Sequence, residues 1–401
     1  MPSSISSSAR TPRRNWLLAW AVAGALALAI VGAVEWHWRA LGFYPTVRDS
    51  AQLWSLQRDR VYATDKIPLA ILGASRIEFA LDMKLLKALL PRYRPVMLAQ
   101  NAHYPLAALR DLAHDERFHG VVLCDLETSG LFKMLAEMQQ PLVDYRRRQW
   151  SPSWRVHRLL LNLWQAHTLV ANPDLGVVAA AKRLLGDTFH PQPDYFTFYA
   201  DRSGDIDYTR TNIEAVRKHF FELAADPKNR QAQVEPQQWF ADLADVFEWT
   251  RQIQARGGQV IFYQSPTGKE LHAIEHERYP PELYWSRFAA ASPAPVLDAA
   301  DVPALSAFNE PDESHLDFRD KPAYTRALVD TLVARGLLKR RFSIRTGKVV
   351  ENLFCQLLYL FMTGNFFQYR VLQQLLLDKI GQLQRCHLQH LDALTQLRCQ
   401  H

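Results

Sequence analysis

The sequence predicts an α/β domain whose mostly parallel sheet is covered by helices on both faces, preceded by one transmembrane helix. Short apolar runs alternate along the chain with stretches of helical periodicity, which is typical of parallel strands joined by crossover helices. Residues 16–34 carry no charged side chain. Of the 401 residues, 48% are hydrophobic and 22% are charged, so the chain can bury a sizeable core and wholesale disorder is excluded.

The uncharged run at residues 16–34 (WLLAWAVAGALALAIVGAV) is long enough for a helix to span the hydrocarbon core of a bilayer. Arg10, Arg13 and Arg14 precede it. The positive-inside rule therefore predicts that residues 1–15 are a cytoplasmic basic segment and that the main domain is periplasmic or otherwise extracytoplasmic. A cleaved signal peptide is the alternative. The length of the run favours an uncleaved single-pass anchor in the lipid of the inner (plasma) membrane.

Five apolar runs are predicted to be strands, at residues 67–73, 95–100, 120–124, 259–264 and 295–297. Helical patterns cover residues 75–91, 106–114 and 240–256, and the last of these is stopped by Gly257-Gly258. We therefore expect one domain over residues 66–342, joined to the membrane helix by a juxtamembrane linker at residues 35–65. Residues of about 130–238 show no clear strand pattern and are predicted to form a largely helical insertion.

The chain has a formal net charge of +6, which alone would suggest nucleic acid or a membrane surface as a partner. The basic excess is concentrated in residues 1–40 and 345–401, however, and the middle of the chain is neutral. This distribution argues against nucleic-acid binding. The four cysteines, Cys124, Cys355, Cys386 and Cys399, show no C-x-x-C spacing, so neither a zinc ribbon nor a disulfide framework is predicted and no cofactor is indicated.

Two short motifs lie where predicted strands end and helices begin, which is where open α/β sheets carry their functional groups. Gly73-Ala74-Ser75-Arg76 follows the first strand, and a Ser in such a turn either caps the helix or exposes a nucleophilic hydroxyl. Asp312-Glu313-Ser314-His315 precedes the last helix, and its spacing lets Asp312 orient His315 as a general base. Since parallel topology brings both motifs to one sheet edge, we predict a catalytic set of Ser75, Asp312 and His315.

Gly73-Ala74-Ser75 and Asp312-x-x-His315 look like the first and last sequence blocks of the SGNH (GDSL-type) hydrolases, and the resemblance covers roughly residues 66–340. A membrane helix ahead of such a domain is similar to the extracytoplasmic polysaccharide O-acetylation proteins, including the alginate acetylation factors. The resemblance implies a flavodoxin-like three-layer α/β/α sandwich and chemistry on acyl esters, in particular acetyl esters of a glycan. The candidate partners are an anionic glycan as the substrate and a membrane acyltransferase.

The chain departs from this family pattern at three places. Ala74 stands where the family has Asp, no Gly is present at Asn101-Ala102 after the second strand, and no Gly-x-Asn follows the third strand. We still predict that Arg76, Asn101 and Ala102 contact the oxyanion or the substrate. Two functions therefore stay open: a serine esterase or O-acyltransferase, and a non-catalytic module that binds glycan or scaffolds a membrane acyltransferase.

Two further patterns also have competing interpretations. The H-x-x-E-H motif at His272, Glu275 and His276 suits a zinc hydrolase, but its polar surroundings favour an exposed helix without metal. Residues 145–158 (YRRRQWSPSWRVHR) combine Arg with Trp, which suits anionic sugars or lipid headgroups and equally a solvated loop near the membrane.

Two other regions complete the sequence predictions. Asp125 and Glu127 follow the third strand and either contact substrate or cap the next helix, of which the cap is favoured. Residues 343–401 form an atypical, Gln-rich C-terminal segment that is predicted to be helical or disordered. This segment suits a weak partner helix, a membrane-surface segment or a stretch unrelated to the function of the domain.

Overall fold

The computed structural model describes residues 13–186, 188–189, 191–225 and 234–340. The predicted C-terminal segment, residues 343–401, and most of the basic segment, residues 1–15, lie outside this part of the chain. The helices of the described part are α1 (Arg13–Ala40), α2 (Ala51–Arg58), α3 (Ser75–Ala80), α4 (Met83–Leu89), α5 (Leu106–Ala113), α6 (Gln140–Arg148), α7 (Pro152–His167), α8 (Val177–Leu184), α9 (Ile213–Ala225), α10 (Pro236–Asp242), α11 (Ala244–Ala255), α12 (Lys269–Arg278), α13 (Trp285–Ala291), α14 (Pro303–Ser306) and α15 (Lys321–Ala334).

A five-stranded parallel sheet forms the centre of the domain and confirms the predicted α/β class. The strands of the described part are β1 (Ile67–Leu72), β2 (Tyr93–Met97), β3 (Val121–Asp125), β4 (Phe196–Phe198), β5 (Gly204–Ile206), β6 (Gln259–Gln264) and β7 (Val296–Asp298). The order in the large sheet is β2-β1-β3-β6-β7. The chain therefore winds in opposite directions from β1 and β3, and the ends of these two strands border the crevice where such sheets bind ligands.

The second strand begins and ends earlier than the predicted run at residues 95–100. Tyr93 and Arg94 belong to β2 and pair with Ile67 and Pro68 of β1. Pro95 sits inside the strand without breaking it, because β2 lies at the edge of the sheet and the missing N–H of a proline is tolerated there.

Helices cover both faces of the sheet, so the structure has three layers. On one face, Trp54, Leu109 and Val246 belong to a buried cluster that includes side chains from α2, α5 and α11. On the other face, Ile77, Leu86 and Leu328 belong to a second cluster with side chains from α3, α4 and α15. Strand residues alternate between the two clusters, as expected for a sheet that is buried on both sides.

The segment between β3 and β6 contains helices α6 to α9 and also the antiparallel pair β4-β5. This small sheet packs on the domain through Phe79, whose ring centroid lies 5.2 Å from that of Phe196 and 5.3 Å from that of Phe198. Each of its strands has three residues, which is too short for alternation to be recognised in the sequence.

The segment expected to be a linker, residues 35–65, is a folded part of the domain. Trp54 of α2 is completely buried, and its indole N–H donates to the carbonyl of Leu98 at 3.1 Å. Arg58 at the end of α2 forms ion pairs with Asp111 and Asp115. The sequence did not predict this packing, because α2 is a single short amphipathic helix and the residues that it contacts are distant in the chain.

Helix α1 extends the predicted apolar run. The part from Trp16 to Ala40 is long and apolar enough to cross a membrane, and a signal sequence near an N-terminus has the same properties. Its C-terminal end is tied to the domain, because the Trp38 indole N–H donates to the carbonyl of Leu175 at 2.8 Å.

Candidate active site

Ser75 is the first residue of α3 and directly follows the tight turn after β1. Gly73 makes the turn with φ of +153°, a conformation that side-chain-bearing residues rarely adopt. A Cβ at this position would lie 2.5 Å from Ile77 Cγ2 and 2.9 Å from Asp125 Cβ. Glycine therefore lets β1, β3 and α3 approach one another and places the Ser75 hydroxyl at the edge of the sheet.

The loop before α15 brings His315 and Asp312 to the same edge. His315 Nε2 lies 2.8 Å from Ser75 Oγ, and His315 Nδ1 lies 2.9 Å from Asp312 Oδ2. The three residues predicted as a catalytic set thus form one continuous hydrogen-bonded chain, although 240 positions separate Ser75 from His315.

Asp312 is held as a carboxylate by its surroundings. It is 1% exposed. Its Oδ1 accepts the backbone N–H groups of Ser314 at 2.9 Å and His315 at 2.7 Å. Burial favours the neutral acid, but the hydrogen bond and the charge interaction with His315 outweigh it and lower the pKa of Asp312 below its ordinary value. A buried carboxylate of this kind orients an imidazole and stabilises it when it takes up a proton.

Aromatic side chains enclose the imidazole. The ring of Phe79 lies 6.1 Å from that of His315, edge to face, and the ring of Phe220 from α9 lies 5.5 Å away. Tyr208 donates a hydrogen bond to the His315 carbonyl at 3.3 Å. The insertion therefore supplies part of the wall of the site, which the sequence pattern did not reveal.

A cavity of about 310 Å³ opens beside Ser75. Its lining includes the predicted residues Arg76 and Ala102 together with Ala74 and Phe220. Ala102 has φ of +60°, which is unusual for a residue other than glycine. Asn101, the third residue predicted at the oxyanion or substrate, is exposed and does not line this cavity. The structure therefore brings Ala102 and Arg76 to the site and leaves the Asn101 side chain outside the cavity.

Arg76 connects the two catalytic loops to the end of β3. Its Nε donates to Ser314 Oγ at 3.2 Å, its Nη1 pairs with Glu127, and its Nη2 donates to Glu275 Oε1 at 2.9 Å. Glu127 also accepts hydrogen bonds from the hydroxyls of Tyr104 and Ser129. These contacts use one N–H from each of the three guanidinium nitrogens, so Arg76 positions the loop that carries His315. Its contact with the substrate stays a prediction.

The two carboxylates on Arg76 have different acidities. Burial favours protonation of both, but for Glu127 the charge of Arg76 outweighs burial and lowers its pKa. For Glu275, burial together with the charge of Glu127 prevails over Arg76 and raises its pKa to about 7. Glu275 is therefore a half-buried group at the site, where the sequence indicated only a zinc motif or an exposed helix.

The zinc interpretation of the H-x-x-E-H motif gains no support from this arrangement. Glu275 is bound to Arg76, and within the described ranges no group of three or more His, Cys, Asp or Glu side chains is arranged to hold a metal ion. The expectation that the whole helix is exposed also needs correction, since Glu275 faces the site while His276 faces solvent.

Asp125 and Glu127 do not cap the following helix, so the favoured interpretation of these residues was wrong. Asp125 Oδ1 accepts the backbone N–H of Ser265 at 2.9 Å, and burial raises the pKa of Asp125 to about 7.

Gln139 from the insertion is a further residue of the site that the sequence did not predict. Its amide donates to the carbonyls of Gly73 and His103 at 3.2 and 3.1 Å, which fixes the turn that carries Ser75.

The Arg-rich segment at residues 145–158 is largely engaged within the protein. Arg146 pairs with Asp59, Arg147 pairs with Asp111, and Arg158 is buried among polar groups. These contacts leave few of its guanidinium groups for an anionic sugar.

No protein-family model and no curated protein match the chain. Its function must therefore be inferred from the geometry of the site.

Proposed function

We propose that the protein is an SGNH-like serine esterase or O-acyltransferase that acts on acyl esters, in particular acetyl esters of a glycan, outside the cytoplasm. The observation that carries the proposal is the hydrogen-bonded chain from Ser75 through His315 to Asp312 at the wall of a cavity. A hydroxyl, an imidazole and a buried carboxylate in this order are the requirements of nucleophilic acyl transfer.

The proposed reaction has two balanced halves. Ser75 Oγ attacks the acyl carbonyl while His315 Nε2 takes its proton, and the ester bond then breaks as His315 returns that proton to the leaving alcohol. The acyl group is now on Ser75. Water or a glycan hydroxyl attacks it, giving its own proton to His315, and Ser75 is regenerated when that proton returns to Oγ.

The negative charge on the carbonyl oxygen needs hydrogen-bond donors in each half. We assign this role to the backbone N–H of Ser75, which starts α3 and therefore has no intrahelical acceptor, and to that of Ala102. The left-handed backbone at Ala102 supports the assignment, because the resemblance places a family glycine at this point after the second strand.

The non-catalytic alternative is favoured by one specific observation. The family pattern would have an amide side chain after the third strand, whereas this chain has the Asp125 carboxyl, which accepts a hydrogen bond from Ser265. The ionised form of this carboxyl group cannot donate to an oxyanion, and with a pKa of about 7 the group is ionised in much of the protein at neutral pH. A module of this kind would bind glycan or a membrane acyltransferase without turning over an ester.

Turnover of an aryl acetate by the purified full chain distinguishes the two functions. We expect Ser75→Ala to lower kcat/KM by at least about 1,000-fold, since the nucleophile is lost. Ser306→Ala, which removes a hydroxyl from the exposed end of α14, should match the wild type. Equal turnover by wild type and Ser75→Ala, or glycan retention by both without any turnover, would contradict the enzymatic proposal. Adding a glycan oligosaccharide and measuring its acetylation by mass spectrometry separates transfer from hydrolysis.

The proposal includes a location. Residues 16–34 would remain as a single-pass inner-membrane anchor with the N-terminus in the cytoplasm, which places the site on the extracytoplasmic side. The intact mass of the protein extracted from membranes tests this directly. Loss of the residues up to about Ala33 would show a cleaved signal sequence instead.

A further inference from the structure

Helix α7 exposes its apolar side chains and buries its polar ones. Leu160, Leu163 and Trp164 are 65%, 62% and 52% exposed, and Val156 and Leu159 are exposed on the same side of the helix. Its buried residues are Arg158, Asn162 and Gln165. A surface helix of a soluble domain normally does the reverse, so this face is suited to an apolar environment outside the domain.

The orientation of α7 is fixed by hydrogen bonds on its polar face. Arg158 Nη2 donates to the Arg48 carbonyl at 3.0 Å, Arg158 Nη1 donates to Ser50 Oγ at 3.3 Å, and the Arg48 backbone N–H donates to Gln165 Oε1 at 3.3 Å. Rotating the helix to bury its leucines would leave these polar groups without partners at a cost of several hydrogen bonds. The exposed apolar face is therefore a stable property of the fold.

The apolar face of α7 is continuous with the end of the apolar helix α1. Arg39 Nη2 donates to the carbonyl of His167, the last residue of α7, at 3.0 Å. Glu35 accepts the backbone N–H of Leu169 at 2.8 Å, just beyond that end. Helix α8 packs against α1 as well, with the Arg183 guanidinium 4.9 Å from the Trp38 ring centroid.

We propose that the exposed faces of α7 and α8 lie on the membrane surface, where they seat the domain against the lipid beside α1. Val178 and Leu184 extend the apolar surface from α8. Neither helix contains an acidic residue, whereas Arg155, Lys182 and Arg183 are basic, which complements anionic lipid headgroups. Continuity with α1 and this charge favour lipid over a second copy of the chain or a partner protein as the occupant.

The proposal extends the membrane location and is independent of the ester chemistry, so a catalytically inactive chain would test it equally well. The test uses the full chain reconstituted in vesicles of phosphatidylethanolamine and phosphatidylglycerol. Cys355, Cys386 and Cys399 are replaced by Ser, and Cys124 stays because it is buried. A nitroxide spin label is then attached to Leu160→Cys or Leu163→Cys, whose exposed positions leave the packing of α7 intact. Leu283→Cys, an exposed leucine in the loop between α12 and α13, is the matched control.

Collisions of the label with oxygen and with a water-soluble nickel chelate report its surroundings. We expect the ratio of oxygen to nickel accessibility to be several-fold higher at Leu160→Cys and Leu163→Cys than at Leu283→Cys, because oxygen concentrates in lipid and the chelate is excluded from it. High nickel accessibility at the α7 sites would show a water-exposed face. Low accessibility to both reagents would show that a second copy or another protein covers it. Either result overturns the proposal.

Discussion

Replacing Asp312 with Asn tests how the proposed catalytic chain works. Asp312 Oδ1 accepts two backbone N–H groups, so we expect the Asn side chain to keep its carbonyl oxygen there and to present its NH₂ group to His315 Nδ1. That nitrogen must then accept a hydrogen bond. The proton of the neutral imidazole consequently moves to Nε2, which can no longer take the proton of Ser75.

The magnitude follows from this change of tautomer and from the loss of a buried charge 2.9 Å from the imidazole. We expect kcat/KM for an aryl acetate to fall by about 10³–10⁴-fold, equivalent to roughly 4–5.5 kcal/mol of transition-state stabilisation, as in the serine-protease case on which this expectation is based. The pKa of Asp312 is lowered in the folded protein. The stability that its ionisation contributes is therefore present at neutral pH and is lost as the pH falls through this lowered pKa. Assays near pH 7.5 therefore compare variants in the correct ionisation state.

The matched control is Asp317→Asn, which removes a carboxylate from the same loop, where it pairs with Arg319. We expect that variant to retain activity to within a few-fold, and thermal unfolding should show that both variants are folded. If the folded Asp312→Asn protein hydrolyses the ester as fast as Asp317→Asn, then Asp312 does not orient a general base and the reasoning is refuted.

Three further outcomes follow from the packing and charges around the site. Gly73→Ala should destabilise the protein by about 1–3 kcal/mol in urea unfolding, because its Cβ would overlap Ile77 and Asp125, and an unchanged midpoint would show that the turn relaxes freely. Arg76→Ala should destabilise the protein by about 1–3 kcal/mol, since it leaves the half-buried Glu127 and Glu275 without their cation, whereas Arg110→Ala, which breaks a more exposed pair with Glu137, should cost less than about 1 kcal/mol. Equal losses in these two variants would contradict the lower exposure of the Arg76 cluster. Burial raises the pKa of Glu78 to about 8 against the opposing charge of Arg202, so its contribution to stability is intact below the ordinary pKa of 4.5 and is lost as the pH rises towards 8. Glu78→Gln should therefore raise the melting temperature more at pH 8 than at pH 5, and an equal effect at both pH values would show that Glu78 is not protonated in the folded state.

The part of the site that the sequence predicted is the part that depends on local chemistry and parallel topology. Ser75 follows the end of β1, and His315 lies in the connection between β7 and α15. Parallel strands carry such connections to the same edge of the sheet. Asp312 was also predictable, because its spacing from His315 is local. The Asp312-x-x-His315 spacing could therefore be recognised without knowing how the side chains pack.

The Arg76 cluster could not be predicted in the same way. Its partners Glu127 and Glu275 lie 51 and 199 positions away from Arg76, on segments whose relative placement depends on the packing of the whole sheet. Glu275 also falls in a motif with a stronger conventional meaning, which directed attention to its flanking histidines. A polar residue on a charged helix gives no local sign that it faces inward.

Helix α7 shows a third reason why the sequence could not predict part of the structure. Its periodicity indicates an amphipathic helix, but periodicity does not say which face turns to the protein. Only the partners of Arg158, which include Ser50 and the Arg48 carbonyl, decide that the polar face is the buried one.

The central claim is that Ser75 is a nucleophile activated by His315, and covalent labelling tests it most directly. The full chain is treated with a fluorophosphonate, and the adduct is located by peptide mass spectrometry. The account predicts a single adduct on Ser75, no adduct in Ser75→Ala, and slower labelling in Asp312→Asn. The reason is that the Ser75 oxygen becomes a strong nucleophile only when His315 accepts its proton. An unlabelled wild-type protein, or labelling that is equally fast in Ser75→Ala, would contradict it.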